Sequence, residues 1–235
     1  MQRNDHDVPV IVFIGASYNW VPTLLKDLLS VFDESVEIRF IDIDPVPAND
    51  CVRWGMEANR VYGRNDSYLA FTDRAAGLTG ADAVLITIAT GGFDAMRSDL
   101  SVPEKYGIMS TVGDTCGPAG WSRAIRNIPV FESFAKDFGL ICPDALIVNY
   151  SNPMAALTAT IQHRAPNPVI GLCHAYFETK DVIQKIFGLP DWSTIDLEIA
   201  GMNHFTWVTK FRIGGKEGYP LLKEIVGKRS IEEVL

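Results

Sequence analysis

Cysteines are few in this sequence, and they lie far apart. The four of them (Cys51, Cys116, Cys142 and Cys173) form no CxxC pair and no disulfide-like framework, so we predict reduced thiols. Long apolar runs are also absent. No stretch reaches the length of a membrane span, and residues 1–7 are polar, without the apolar core of a signal peptide. These absences predict a cytoplasmic protein that does not contact a membrane.

Positive charge is scarce as well. The 235 residues include 21 Lys and Arg against 29 Asp and Glu, which gives a net charge of −8. Because phosphate binding needs clustered cations, this balance argues against a nucleic-acid partner. What the sequence does have is a hydrophobic share of 47%. That is enough to bury the core of one large domain, or of one domain plus part of another.

Short β-branched runs alternate with helical patterns along most of the chain. The runs that predict strands are VPVIVFI (8–14), VEIRFIDID (36–44), AFTD (70–73), DAVLITIATGG (82–92), ALIV (145–148) and NPVIGLC (167–173). Strands of this kind, separated by helices, predict an α/β fold with a Rossmann-like parallel sheet. One long helix is predicted over residues 121–140, and we expect Pro129 to kink it or divide it.

The pattern changes near residue 190. The segment that follows mixes strand-like alternation with polar insertions, which predicts antiparallel strands, and the last residues, LLKEIVGKRSIEEVL, look helical. We therefore divide the chain into a polar N-terminal tail (1–7), a nucleotide-binding domain (8–172), and the beginning of an incomplete α+β second domain (173–235).

Conspicuous residues stand where the predicted strands end. In parallel sheets, ligands bind outside the carboxyl ends of the strands. The residues at those ends are Gly15, Ser17, Asp42, Asp44, Thr90, Gly91, Asn149, Asn152 and Cys173.

The first of these groups has the layout of a dinucleotide-binding unit. A buried strand ends at Gly15, a helix follows, and the next strand ends at Asp42, with Asp44 as an alternative acid. The helix N-terminus would face a pyrophosphate, and the acid would accept hydrogen bonds from the adenosine ribose, which favours NAD over NADP. The glycine signature is degraded, because Ser17 and Trp20 replace the next two glycines, so a plain strand-to-helix turn is the alternative.

Three further segments carry reactive side chains, and each has a structural interpretation when taken singly. Asp114 in GDT could cap a helix, Cys173 could be a small core residue, and His174 and His204 could be satisfied structural groups. Their combination is more specific. The ordered set is IGAS…W.P, DID, GDT.GP.G..RA.R.IPV, N..NPM..LT, GLCH and G.NHF.W.

This ordered set resembles the NAD- and metal-dependent glycoside hydrolases of family 4, and the resemblance runs from about Val10 to Trp207. It implies a fold similar to that of lactate and malate dehydrogenases. It also implies a small-molecule glycoside substrate, NAD, a divalent metal that is usually manganese, and a homo-oligomer for the full-length enzyme. The implied chemistry differs from that of two-carboxylate glycosidases. NAD takes hydride from C3 of the sugar, a base removes the C2 proton, and the aglycone leaves by elimination while the metal polarises sugar oxygens.

Residue by residue, the resemblance assigns Cys173 and His204 as metal ligands and Asn152 as a substrate contact, with Asn149 close before it. Asp114 and His174 become the candidate catalytic residues at the sugar, with His174 as an acid or leaving-group contact. Asp114 belongs to the GDT of members that act on unphosphorylated sugars, so galactosides, glucosides and uronides are the expected α-glycoside substrates.

The residues expected to bind the cofactor are Gly15, Ser17, Asn19, Trp20, Asp42, Asp44, Thr90 and Gly91.

The tyrosine base of that family falls, by resemblance, beyond Leu235, and Tyr219 is not its expected counterpart. We therefore expect a fragment of a longer enzyme that binds NAD but turns over poorly.

Two competing interpretations stay open. A 2-hydroxy-acid dehydrogenase of the lactate/malate type would use arginines such as Arg97, Arg123 and Arg126 to clamp a carboxylate, but it would leave Cys173 without a role. A non-catalytic NAD-binding fragment would need no base.

Overall fold

The structure is a computed structural model that describes residues 8–227. The chain divides into two compact units between Leu172 and Cys173. The strands of the first unit are β1 (Val10–Ile14), β2 (Glu37–Ile41), β3 (Ser67–Phe71), β4 (Ala83–Ile86), β5 (Leu146–Asn149) and β6 (Val169–Gly171). Its helices are α1 (Val21–Val31), α2 (Pro45–Tyr62), α3 (Arg74–Leu78), α4 (Gly92–Glu104), α5 (Gly117–Ile141) and α6 (Met154–Arg164).

The six strands of the first unit form one sheet in the order β3-β2-β1-β4-β5-β6, and all neighbouring pairs are parallel. This is the strand order of the Rossmann fold, so the predicted fold class is confirmed. The order reverses between β1 and β4, since the chain first adds strands on one side of β1 and then on the other. The ends of these two strands mark the switch point where such sheets bind ligands.

The sheet is covered on both faces because successive residues of β1 point to opposite sides. Val10, Val12 and Ile14 join a core formed with α5 and α6, whereas Ile11 and Phe13 join a second core formed with α1 and α2. All five side chains are buried. A strand that is apolar at every position therefore has to lie in the middle of the sheet.

Two details of local structure differ from what the sequence suggested. Pro129 does not divide the long helix: α5 is continuous from Gly117 to Ile141. Proline in a helix interior costs about 3 kcal/mol, but buried side chains on both sides of it, including Ala119 and Phe131, hold the helix on its neighbours. The third strand begins earlier than expected, because Ser67–Phe71 pairs in register with Glu37–Ile41 and Asp73 caps α3. Helix α4 was not predicted from the sequence.

The second unit has an antiparallel sheet, as the alternation predicted. Its strands are β7 (Ile195–Met202), β8 (Phe205–Ile213) and β9 (Lys216–Glu217), and its helices are α7 (Ala175–Phe187) and α8 (Gly218–Val226). A small core unites Ile183, Ile195, Leu197 and Phe211. The predicted C-terminal helix is present as α8, and the part of that prediction that falls after residue 227 lies outside the described residues. Over residues 8–227, no helix combines the length and apolar character needed to cross a bilayer.

Phe138 of α5 tests the core of the first unit. Its side chain is fully buried, whereas Leu140, two residues later on the same helix, is 73% exposed. Phe138→Ala should lower the free energy of unfolding by about 3–5 kcal/mol because it leaves a cavity. Leu140→Ala, the matched control, should change it by less than about 0.5 kcal/mol. Urea unfolding followed by circular dichroism measures both, and similar losses for the two variants would contradict the packing described here.

Candidate functional site

A cleft of about 690 Å³ opens at the carboxyl ends of β1, β2 and β4 in the first unit. Its lining is mostly apolar, with backbone and a few polar groups exposed at the strand ends. The lining residues are Ile14, Gly15, Ala16, Ser17, Ile41, Asp42, Ile43, Thr72, Arg74, Thr87, Ile88, Ala89, Thr90, Gly91, Val130 and Phe134. The structure thus brings together five of the residues expected to bind a cofactor: Gly15, Ser17, Asp42, Thr90 and Gly91.

Gly15 makes the turn that ends β1. Its φ angle is +97°, and a Cβ atom there would lie 2.8 Å from the Thr87 carbonyl oxygen. The Gly15 N–H donates to Ile41 O at 2.9 Å, and the Thr87 hydroxyl donates to Gly15 O at 2.8 Å. Only glycine suits a position that needs both a positive φ and so close an approach of two backbones.

Asp42 and Asp44, the two candidate acids, have different positions. Asp42 lines the cleft, and its Oδ2 accepts the Ala16 N–H at 2.8 Å while its Oδ1 accepts the Asp44 N–H at 3.0 Å. Asp44 is the N-cap of α2, and its side chain accepts the Val46 N–H at 2.9 Å. A carboxylate has about four acceptor sites. Asp42 can therefore still accept ribose hydroxyls in the cleft, whereas Asp44 caps α2 and is not among the lining residues.

The loop between β1 and α1 carries the other predicted cofactor residues. Ser17 lines the cleft, and its Oγ accepts the Trp20 N–H at 3.4 Å. Asn19 and Trp20 are exposed and are not among the lining residues. The Trp20 ring centroid lies 6.2 Å from that of Tyr150, so this indole contacts protein aromatics. Pro22 stands in the first turn of α1.

A partly buried ion pair contacts the cleft lining at Thr90. Arg126 Nε donates to Thr90 O at 2.9 Å, and its Nη1 and Nη2 donate to the two carboxylate oxygens of Asp99 at 3.0 and 2.6 Å. The Ser122 hydroxyl also donates to Asp99, at 2.7 Å. The Arg126 hydrogen bonds, and then that of Ser122, hold the pKa of Asp99 below its usual range, while Asp99 raises the pKa of Arg126.

This ion pair was missed as a site element, because Arg126 had been considered only as a carboxylate clamp. The signal in the sequence was that Asp99 and Arg126 occur in two successive helical segments, which form α4 and α5.

Asn149 and Asn152 have different surroundings in the turn between β5 and α6. Asn149 is fully buried, and its Nδ2 has Ser151 O, Met154 O and Thr158 Oγ1 as acceptors at 3.1–3.3 Å. Its Oδ1 accepts the Ser151 N–H at 2.9 Å. Both ends of this amide are used inside the turn, so the substrate contact expected at Asn149 is replaced by a structural role.

Asn152 is partly exposed and belongs to a polar cluster with Asp114. Its Nδ2 donates to Asp114 Oδ2 at 2.7 Å, and its backbone oxygen accepts Arg123 Nε at 3.2 Å. The Thr115 hydroxyl donates to Asp114 Oδ1 at 3.0 Å. Asp114 does not cap α5, whose N-cap is Cys116. The structure thus brings together two residues that are 38 positions apart in sequence and that were both expected at the sugar.

In the second unit, Cys173 and His204 lie side by side. The distance from Cys173 Sγ to His204 Nε2 is 3.3 Å, across 31 positions of sequence. His204 occupies the two-residue turn between β7 and β8 with a φ angle of +60°, a rare conformation for a residue other than glycine. Over residues 8–227, no group of three or more His, Cys, Asp or Glu side chains could hold a metal ion. Any metal at Cys173 and His204 would therefore have two such protein ligands from the described chain.

The geometry of this pair fits two ligands of one metal ion. A thiolate at about 2.3 Å and an imidazole nitrogen at about 2.0 Å from one tetrahedral ion lie roughly 3.5 Å apart. The observed distance is close to that value, and Cys173 is only partly buried. The nearby His174 forms an exposed pair with Glu178, at 2.8 Å from Nε2 to Oε1. The hydroxyl of Tyr219 donates to the backbone oxygen of Val208, within the second unit.

Comparison with known families gives one clear match. The model of the family 4 glycosyl hydrolases matches residues 10–189. An α-galacturonidase of Thermoanaerobacterium saccharolyticum is 35% identical over 95% of this chain and 50% of its own length. An α-galactosidase of Bacillus subtilis is 34% identical over 91% of this chain and 50% of its own length. The chain spans about half the length of the curated relatives it matches.

Solved structures agree on the fold. The 6-phospho-β-glucosidase of Thermotoga maritima, solved with manganese, NAD⁺ and glucose 6-phosphate, superposes with a TM-score of 0.79 at 23% identity, over 96% of this chain and 54% of that one. A malate dehydrogenase of Cryptosporidium parvum superposes with a TM-score of 0.67 at 17% identity, over 97% and 66%. At these identities the likeness concerns the fold alone.

Gly15 offers a direct test of the cleft. In Gly15→Ala the new methyl group would push against Thr87 O, and overpacking of this kind typically costs about 1–3 kcal/mol. Displacement of the turn should weaken NAD binding by about tenfold or more. Gly63→Ala is the matched control, since Gly63 also has a positive φ but no neighbouring atom within 4 Å of its new Cβ. Isothermal titration of the chain with NAD compares the variants, and equal affinities would contradict the assignment of the cleft.

The Asp99–Arg126 pair predicts a pH dependence of stability. Because the folded-state pKa of Asp99 is depressed, its contribution is present above the unfolded pKa of about 3.9 and is lost as the pH falls through the folded value. Asp99→Asn should therefore lower the free energy of unfolding by about 2 kcal/mol at pH 7. The difference should shrink towards pH 3. Urea titrations at both pH values measure this, with the exposed Asp144→Asn as control, and a difference that is constant with pH would contradict it.

Proposed function

Because the chain belongs to glycosyl hydrolase family 4, we propose that it supplies the NAD-binding domain and the metal ligands of an enzyme that cleaves an unphosphorylated α-glycoside. α-Galacturonides and α-galactosides are the first substrates to test, with α-glucosides as the next. When bound, NAD would accept hydride from the sugar, and a divalent metal, manganese by resemblance, would polarise sugar hydroxyl oxygens.

The contact between Cys173 and His204 is the observation that carries this proposal. The thiol of Cys173 and the imidazole of His204, from distant parts of the sequence, meet at 3.3 Å. The backbone of His204 has an uncommon, positive φ angle. A positive φ angle at a residue other than glycine often occurs at functional sites, and together with the contact to Cys173 it favours a function for the imidazole. Two protein ligands would leave room at the metal for substrate oxygens, as Lewis-acid chemistry requires.

The first unit supports the cofactor part of the proposal. The cleft lies at the switch point of the sheet, and Asp42 retains acceptor capacity for ribose hydroxyls. Ser17, at the start of the loop before α1, would face the pyrophosphate, while the Arg126–Asp99 pair holds Thr90 O in the wall of the cleft. Asn19, Trp20 and Asp44 are assigned to shaping this loop rather than to contacting the cofactor.

The Asp114–Asn152 cluster supports the substrate part. We assign the sugar contact to Asn152 and to Asp114, whose carboxylate fixes the Asn152 amide by the 2.7 Å hydrogen bond. Asn149 positions the turn that carries Asn152. His174 stays the candidate acid or leaving-group contact. The α-galacturonidase and α-galactosidase relatives have names without a phosphate, which agrees with the GDT motif at Asp114.

The contacts of the arginines argue against the dehydrogenase alternative. Arg126 is occupied by Asp99 and Thr90, and Arg97 is a highly exposed residue that pairs with Asp94, so neither is placed as a carboxylate clamp. The likeness to malate dehydrogenase concerns the fold only. Homo-oligomeric assembly and a cytoplasmic location stay predictions.

The activity test uses the protein in the form in which it is natively expressed. We expect p-nitrophenol release from an α-galacturonide or α-galactoside that requires both NAD and manganese, in the presence of a reductant to protect the thiol. The panel includes 6-phosphorylated glycosides, and lactate and malate with and without chelator. Oxidation of a hydroxy acid that is insensitive to chelator, together with no glycoside cleavage, would overturn the proposal.

The metal ligands can be tested separately on the chain itself. His204→Asn keeps a residue that tolerates a positive φ but removes the imidazole, and Cys173→Ser removes the thiolate. Loss of a group that only supports a ligand costs 10–100-fold in metal affinity, so each variant should weaken Mn²⁺ binding by at least about tenfold. Electron paramagnetic resonance titration measures free Mn²⁺. The exposed Cys116→Ser is the matched control, and wild-type affinity in Cys173→Ser would refute the site.

A further inference from the structure

The cleft of the first unit has charged side chains of opposite sign in its lining. Among the described lining residues, Asp42 follows β2 and Arg74 begins α3, just after β3. Because β2 and β3 are neighbouring parallel strands, their ends lie at the same edge of the sheet. This edge of the cleft therefore contains an anion and a cation together.

Helix α5 holds the cation. Arg74 Nε donates to Asp137 Oδ2 at 2.6 Å, Nη2 donates to Ser133 Oγ at 2.9 Å, and Nη2 also forms an ion pair with Asp137. The guanidinium carbon lies 4.8 Å from the centroid of the Phe134 ring, another lining residue. The side chains of Arg74 and Asp137 are 30% and 26% exposed, so the pair borders solvent at the cleft.

The two charges have opposite effects on the two forms of the dinucleotide. NADP differs from NAD by a phosphate on the adenosine 2′-oxygen. An acid at the end of the second strand favours the free 2′-hydroxyl, whereas an arginine nearby accommodates a 2′-phosphate. Arg74 is such an arginine, but its charge is offset by Asp137 and two of its three nitrogens are bonded to α5.

We propose that Asp137 is a positioning residue for cofactor specificity: by holding and neutralising Arg74, it prevents this edge of the cleft from accepting the 2′-phosphate of NADP. The inference rests on the proposed binding of NAD in the cleft. An ion pair that only joined α3 to α5 would affect stability when broken, but it would leave the ratio of NADP to NAD affinity unchanged. That ratio is therefore the decisive measurement.

The experiment measures the affinities of the chain for NAD and NADP by isothermal titration at low and moderate salt. We expect the wild type to bind NAD more tightly. Asp137→Asn should raise NADP affinity by about tenfold at low salt, and less at higher salt, because it frees a cation for the phosphate. NAD affinity should change by less than about twofold. Asp144→Asn, which removes an exposed acid outside the lining, should reproduce the wild-type values.

A second variant ties the effect to Arg74. Asp137→Asn combined with Arg74→Met should lose the gain in NADP affinity. If Asp137→Asn alone is not recovered folded, Arg74→Met in the wild type tests the same pair, because it leaves the Asp137 charge uncompensated, and NADP affinity should then fall relative to NAD affinity. Either an unchanged ratio in Asp137→Asn or a gain that survives Arg74→Met would overturn the inference alone. A wild-type chain that binds no NAD would overturn the cofactor part of the proposed function, and this inference with it.

Discussion

The hydrogen bonds that join the end of β1 to both of its neighbours determine the geometry of the first unit. Gly15 donates to the end of β2, and its carbonyl accepts the Thr87 hydroxyl just beyond β4. The next residue, Ala16, donates to Asp42. These contacts need a residue without a side chain at position 15, because two backbones approach there at a positive φ. The opening between the strand ends, and hence the cleft, depends on them.

The two units use different means to place functional groups. In the first, parallel strands end together, so residues from distant parts of the sequence meet at one edge without any need for matched loops. In the second, a tight hairpin turn carries His204 to within 3.3 Å of Cys173. The first arrangement tolerates variation in the loops. The second depends on register, because a slip of one residue between β7 and β8 would move the imidazole to the other face.

Much of this could be predicted from the sequence. Buried β-branched runs and the residues at their ends predicted the parallel sheet and the lining of the cleft, because strand burial and the strand-end rule are local signals. The roles of particular polar side chains could not be predicted in the same way. Asn149 and Asp44 have the right positions in sequence, but their hydrogen bonds go to Ser151, Met154 and Val46. Which amide or acid is satisfied internally depends on turn geometry that residue type does not encode.

The position of Asp42 has a consequence for the thermodynamics of association. Its carboxylate is held by two backbone N–H groups of the protein itself, at 2.8 and 3.0 Å. Ordering a mobile side chain at an interface costs about 0.5–1.5 kcal/mol. Asp42 is preorganised, so this entropy is lost during folding and not when a nucleotide arrives. The same bonds leave about two acceptor sites, which matches the two hydroxyls of one ribose.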